Sequence, residues 1–244
     1  MTIRTADTLL TTNEAAEQLG VSTRRIRAMA SQGMLDYEKV SHRLLIVSSS
    51  VRKLRRQNRS GGRVLSQRIA LASLYLISGK TPDWISPSEK SRLRKRLANM
   101  DAEELISLCR NRSTVIDFWC RDTRLEQLSQ RIRPSSATGE LATHFGLTRT
   151  DDVEGYTTEQ SAENLIQDMK LRTDFRPTNV RLHICKFLPK SESPMPLGVC
   201  AADLADSLNA REHGAGMETL SRLLKEFRED FRALAESRRT DENN

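Results

Sequence analysis

Apolar positions along the chain recur at two spacings, and the change from one to the other marks the elements. Ala15, Ala16 and Leu19 put an apolar face on about two helical turns, and Thr11 followed three residues later by Glu14 is a capping-box signature for the start. Gly20 ends that helix. Ser22 caps a second, running to Gln32 with Gly33 at the left-handed position beyond it, and Ile26, Met29 and Ala30 form its inward stripe. Two helices joined by so tight a turn cross steeply, which turns Thr23, Arg24, Arg27 and Ala28 outward. The spacing then drops to two. Tyr37 and Lys39, followed by Arg43, Leu45 and Val47 against Leu44 and Ile46, predict two strands joined around Ser41 and His42. Ser48 to Ser50 cap a third helix, held down by Val51 and Leu54 and carrying Arg52, Lys53, Arg55 and Arg56. Residues 1–10 read as a loose lead-in.

Arg59 to Arg63, RSGGR, breaks the pattern as a basic, flexible linker. Beyond it Leu65 to Ile77 is apolar on most sides, the mark of a helix surrounded by neighbours. Pro87 opens another helix, with Leu93 and Leu97 set against Arg92, Arg94, Lys95 and Arg96. Asp101 caps a further one. Ser113 to Cys120 is β-branched and aromatic and predicts a strand; Thr123 to Ile132 is helical by spacing, and Pro134 to Ser136 interrupt. Thr138 to Phe145 predicts a short helix, Asp151 to Thr157 a turn and short strand, and Ser161 to Met169 a helix. Asn179 to Leu188 alternates Val180, Leu182 and Ile184, the strongest strand signal outside the first 58 residues. Val199 to Leu208 mixes apolar and acidic positions, and Gly214 to Ala235 forms a long amphipathic helix, with residues 237–244 polar and frayed. The expected fold is α+β and mainly α. Its organisation is a winged helix-turn-helix over 1–58, a linker at 59–63, a helical middle region at 64–133 and an α+β region at 134–244.

Charge sharpens this picture. Residues 1–70 hold 13 Lys+Arg against 5 Asp+Glu, residues 71–133 hold 12 against 8, and residues 134–244 hold 14 against 19. The positive charge is concentrated on the first unit. Such a surface attracts a phosphate backbone whatever its sequence, with log K falling by roughly 0.9 per neutralised phosphate for each log unit of salt. The longest near-apolar run, Ile69 to Ile77, has 9 residues and contains Ser73, far short of the ~20 that span a bilayer. The chain is therefore expected to be cytoplasmic, bacterial and nucleoid-associated, with no membrane partner. Cys109, Cys120, Cys185 and Cys200 lack a Cys-x-x-Cys pair and read as buried thiols rather than zinc ligands.

The outward face of the second helix is basic and short-sided, so it fits a major groove about 12 Å wide. Ser22 caps it, Thr23, Arg24 and Arg27 stand nearest to base edges, and Arg25 is angled at a phosphate. His42 and Arg43 on the hairpin reach backbone or minor groove, and Arg52 on the third helix completes the expected DNA-binding set. A head this small is expected to read repeated half-sites about 10 base pairs apart. Enzyme signatures are lacking: there is no G-x-x-x-x-G-K-[ST], G-x-S-x-G or H-E-x-x-H. Asp203 and Asp206, at i and i+3, are read as a solvated face rather than a cation site. His183 is read as a packed or surface histidine with no carboxylate partner assigned. The reading is a binding protein without catalytic residues, metal or cofactor.

TTNEAAEQLGVSTRRIRAM followed by SHRLLIVSSSVRKL resembles the excisionase-type winged helix-turn-helix, a module related to the MerR head. RVLSQRIALASLYLISGK, WISPSEKSRLRKRL, DDVEGYT and VCAADLADSLNAREHGAG resemble bacterial regulators of the AbiEi antitoxin type. That likeness implies an autorepressor bound to double-stranded DNA at its own promoter. It also implies an antitoxin that counters a nucleotidyltransferase toxin functionally rather than through a stable complex. The alternatives are an excisionase-like DNA-bending accessory factor, a stand-alone transcriptional regulator, and a structural protein whose basic head is incidental.

Overall fold

A computed structural model describes residues 8–40, 43–57, 64–148, 151–189 and 193–241. The chain divides into two compact units, Met1–Gly61 and Gly62–Asn244. Its class is α+β, with helices outnumbering strands.

In the first unit β1 (Leu9–Thr11) leads directly into α1 (Thr12–Leu19), α2 (Thr23–Ser31), β2 (Tyr37–Val40), β3 (Arg43–Val47) and α3 (Ser48–Gln57). Thr11 caps α1: its hydroxyl accepts from the Glu14 amide at 3.2 Å while Glu14 Oε2 accepts from the Thr11 amide at 2.7 Å. Gly20 takes φ 65° at the other end, a conformation that a side chain at this tight corner would strain. The three strands form an antiparallel sheet ordered β1-β3-β2, with Leu10 opposite Ile46 and Tyr37 opposite Ile46 on the other side. Leu9 and Leu10 thus belong to a strand, not to a loose lead-in. The core is small: Ala15, Ala16, Ile26, Met29, Ala30, Leu35, Ile46 and Val51. Ser50 does not cap α3, because its hydroxyl donates to the Val47 carbonyl and accepts from the Asp36 amide, tying the helix to the end of the hairpin. The expected linker at 59–63 and the expected strand connection at Ser41 and His42 lie outside the described residues.

The second unit runs α4 (Gln67–Ile77), α5 (Pro87–Leu97), α6 (Ala102–Leu108), β4 (Thr114–Phe118), α7 (Asp122–Ser129), β5 (Arg133–Pro134), α8 (Leu141–His144), β6 (Val153–Thr158), α9 (Glu159–Met169), β7 (Val180–Cys185), α10 (Leu197–Ala205) and α11 (Ala210–Asp241). Its sheet is ordered β4-β7-β6-β5, antiparallel except for the β6-β7 pair, which α9 connects in parallel. Pro134, where an interruption was expected, is a strand residue together with Arg133, and Gly155 and Tyr156 supply their partners.

Alternation along β7 separates two cores. Val180, Leu182 and Ile184 face Phe118, Leu128, Val153, Leu165 and Met169, a layer between the sheet and α7 and α9. His183 and Cys185 point the other way, where Tyr156 and Cys185 join a larger core built from α4, α5, α6, α10 and α11. Residues from both sides of position 133 share that core and the β4-β7 ladder, so 64–133 and 134–244 are one body rather than two. Every residue from Ala70 to Ile77 is buried, as the all-round apolar pattern requires.

α10 and α11 approach closely because Ala201, Ala202, Ala205 and Gly216 are small. A Cβ at Gly216 would stand 2.4 Å from the Ala205 amide nitrogen and 2.6 Å from the Ala201 carbonyl oxygen. Gly214, half a turn earlier on the same helix, is exposed and meets nothing within 4 Å. Gly216→Ala is therefore expected to destabilise by about 1–3 kcal/mol, whereas Gly214→Ala stabilises by about 0.5–1 kcal/mol through helix propensity. Urea denaturation of the two variants checks the opposite signs.

Candidate functional site

Two groups of polar side chains stand out, one in each unit. In the first, Ser22 caps α2 by accepting from the Arg25 amide at 3.2 Å. Ile26, Met29 and Ala30 are buried, so the helix presents Arg24, Arg25 and Arg27 to solvent with Thr23 and Ala28 half-buried beside them. Five of the expected DNA-binding residues are thereby brought together, four on α2 and Ser22 as its cap. Arg43 is exposed at the start of β3, opposite Val40, and Arg52 is exposed on α3. His42 lies outside the described residues. Among the described residues, no ion pair engages Arg24, Arg25, Arg27 or Arg43. The second unit differs. There Arg68, Arg112, Arg131, Arg172, Arg181 and Arg222 each lie within salt-bridge distance of a carboxylate.

The second group is buried where α10 meets the sheet. Arg112, in the turn between α6 and β4, is 2% exposed and donates Nε to Asp203 Oδ1 at 2.9 Å and to Tyr156 Oη at 3.2 Å. Its Nη2 reaches Asp206 Oδ2 at 2.8 Å and the Ala202 carbonyl at 3.1 Å. Tyr156 Oη also donates to Asp203 Oδ1 at 2.9 Å, and Ser135 Oγ donates to Asp203 Oδ2. His183 completes the cluster. Its ring stacks on Tyr156 with centroids 4.5 Å apart; Nε2 lies 2.8 Å from Glu154 Oε1, and Nδ1 lies 2.8 Å from Ser113 Oγ and 3.7 Å from Asp203 Oδ1.

Comparison with protein-family models, curated proteins and solved structures finds no match for this chain.

Glu154, His183 and Asp203 each offer a metal-type donor atom, all within 4.8 Å of one another. Yet both Asp203 oxygens are already held by Arg112, Tyr156 and Ser135, and His183 is bonded through both nitrogens. The trio is satisfied as a hydrogen-bonded relay without a cation. The structure departs from the sequence expectation at two residues. Asp203 is a buried counter-ion to Arg112 rather than part of a solvated face, and His183 has carboxylate partners in Glu154 and Asp203.

Arg112, Ser113 and Ser135 carried no sequence motif, and Glu154 and Tyr156 lay in DDVEGYT, a stretch noted for its resemblance and not for a site. The available signals were indirect: an aspartate inside the small apolar run VCAADLA, and Arg181 and His183 alternating with apolar residues in a strand.

Burial would by itself raise the Asp203 carboxyl, but His183, the Arg112 guanidinium and the Ser135 hydroxyl hold it below the ordinary aspartate range. A depressed carboxyl contributes stability that is present above its unfolded pKa and lost as pH falls through the folded one. The wild-type urea midpoint should therefore drop as pH is lowered below about 4. The same titration of Asp203→Asn, starting from a lower midpoint, should show a shallower acid dependence; equal slopes would remove Asp203 as the source.

Proposed function

We propose that the chain is a sequence-specific transcriptional regulator that binds double-stranded DNA through a winged helix-turn-helix over residues 1–58. In this reading α2 is the recognition helix, and β2, β3 and their connection are the wing. The observation that carries it is the set of exposed arginines on α2, unpaired among the described residues, in a unit where basic residues exceed acidic ones by more than two to one. Thr23, Arg24 and Arg27 meet base edges. Arg25, Arg43 and Arg52 hold phosphates, as does His42.

Helix geometry supports that division. Arg24 and Arg27 are three residues apart and share a face with Ala28, whose small side chain lets the helix axis come close to the bases. Ser22 leaves the start of α2 capped, so the residues nearest the groove floor sit on a fixed first turn. The resemblance to AbiEi-type regulators extends the proposal: the regulator represses its own promoter and serves as the antitoxin of a nucleotidyltransferase toxin.

Mobility-shift titration with the chain's own promoter fragment tests the DNA reading. Binding should weaken steeply with salt. Arg24→Ala should cost about 1–3 kcal/mol at one base position and relax sequence preference there, while Arg43→Ala should weaken all sequences alike. No retardation at low salt would overturn the proposal, and equal effects of the two variants would overturn the assignment of α2 as the reading helix.

A further inference from the structure

We propose that Ser113 is an activated nucleophile, with His183 as its general base and Glu154 as the residue that positions the base, competent for acyl transfer from small carboxylic esters. The three form a continuous row. An ionised carboxylate has acceptor positions only, so Glu154 takes the Nε2–H of His183 at 2.8 Å. When the ring is neutral its lone pair is then on Nδ1, 2.8 Å from the Ser113 hydroxyl. Asp203 Oδ1, 3.7 Å from the same nitrogen, stabilises the positive charge that appears when Nδ1 gains a proton. Stacking on Tyr156 holds the ring plane.

Access is asymmetric in the way a nucleophile needs. His183 and Asp203 are buried, whereas Ser113 is half-exposed. Val115, the register partner of His183 on the edge strand β4, is 39% exposed, so the sheet surface beside Ser113 is open. The order of the ring nitrogens is the reverse of that in the serine protease triad, where the serine meets Nε2; the roles are unchanged.

In the acylation step Ser113 Oγ bonds to the ester carbonyl carbon, its proton passes to His183 Nδ1, and the leaving alkoxide departs with that proton. Water then attacks the acyl-serine, gives a proton to Nδ1, and the carboxylic acid leaves as the Ser113 hydroxyl is restored. None of the residues assigned to DNA binding takes part, so either proposal can fail without the other.

The test uses the full chain and a fluorophosphonate probe. Attack by Ser113 Oγ forms the O–P bond and expels fluoride, with the hydroxyl proton taken up at Nδ1. Labelling should map by mass spectrometry to Ser113, vanish in Ser113→Ala, and slow by roughly 10²–10⁴-fold in His183→Gln, the range for loss of a general base. Glu154→Gln should slow labelling and shift its pH profile, which a merely structural role would not do. Ser113→Cys gives an independent readout: its thiol should alkylate with iodoacetamide at pH 7 more than tenfold faster than glutathione, and lose that advantage when His183→Gln is added. The four native cysteines are buried and leave a low background. No label at Ser113, or a Ser113→Cys thiol no faster than glutathione, would overturn the proposal.

Discussion

The body of this protein depends on keeping one guanidinium out of water. Moving an ionised group into a protein interior costs several kcal/mol, a cost offset only when charge and hydrogen bonds are supplied from fixed directions. Arg112 has five donor hydrogens in a rigid fork, and its acceptors come from three places: Asp203, Asp206 and Ala202 on or at the end of α10, Tyr156 on β6, and the Cys109 carbonyl 3.5 Å away at the end of α6. These elements can satisfy the fork in one relative arrangement. Apolar burial is less selective, since it depends on the area removed from water and has no preferred direction. The polar cluster thus sets the register of α10 against the sheet, and the larger core fills in around it.

The same constraint explains the two faces of β7. A strand whose residues all faced apolar layers would need no charge, but β7 carries Arg181 and His183 on the face turned to α10. His183 is acceptable there because Glu154 and Ser113 satisfy both nitrogens and Tyr156 covers the ring. Around this polar island the thiols are quiet. Burial pushes Cys109 and Cys185 up to about 12 and raises Cys200 as well, so none of the three is a thiolate near neutrality. Nucleophilic character in this region belongs to a hydroxyl beside a base, not to sulfur.

Where local chemistry determines an element, the sequence was enough. Thr11 with Glu14, Gly20, Ser22 and Gly33 mark the ends of α1 and α2 by hydrogen bonds and backbone conformations that span a few residues, and the apolar stripes between them name the small core. β1 escaped because two leucines have no period; they become a strand by pairing with Ile46 and Val47, some 37 positions away. The body shows the same limit more severely. Alternation at 180–185 revealed a strand but not its neighbours, and the partners of His183 lie 29 and 70 residues distant. Asp203 and Asp206 illustrate the remaining difficulty: spacing puts them near one helix face, but which face is buried depends on an arginine 91 residues earlier.

Charge is handled differently in the two units, and that difference bears on function more than either total. An exposed ion pair is worth about 0–1 kcal/mol, so folding stability neither demands nor forbids partners for arginines on α2. In the body, Arg68, Arg112, Arg131, Arg172, Arg181 and Arg222 nevertheless meet carboxylates. In the head, Glu14 bonds the Thr11 backbone and hydroxyl instead, and thereby serves the start of α1 rather than an arginine. Arg24, Arg25 and Arg27 are consecutive or nearly so on one helix, well within a screening length of about 8–10 Å at physiological salt. Their fields add, and a polyanion that meets all three releases its own counterions as it binds. A surface whose cations already had protein partners would have to break those pairs first.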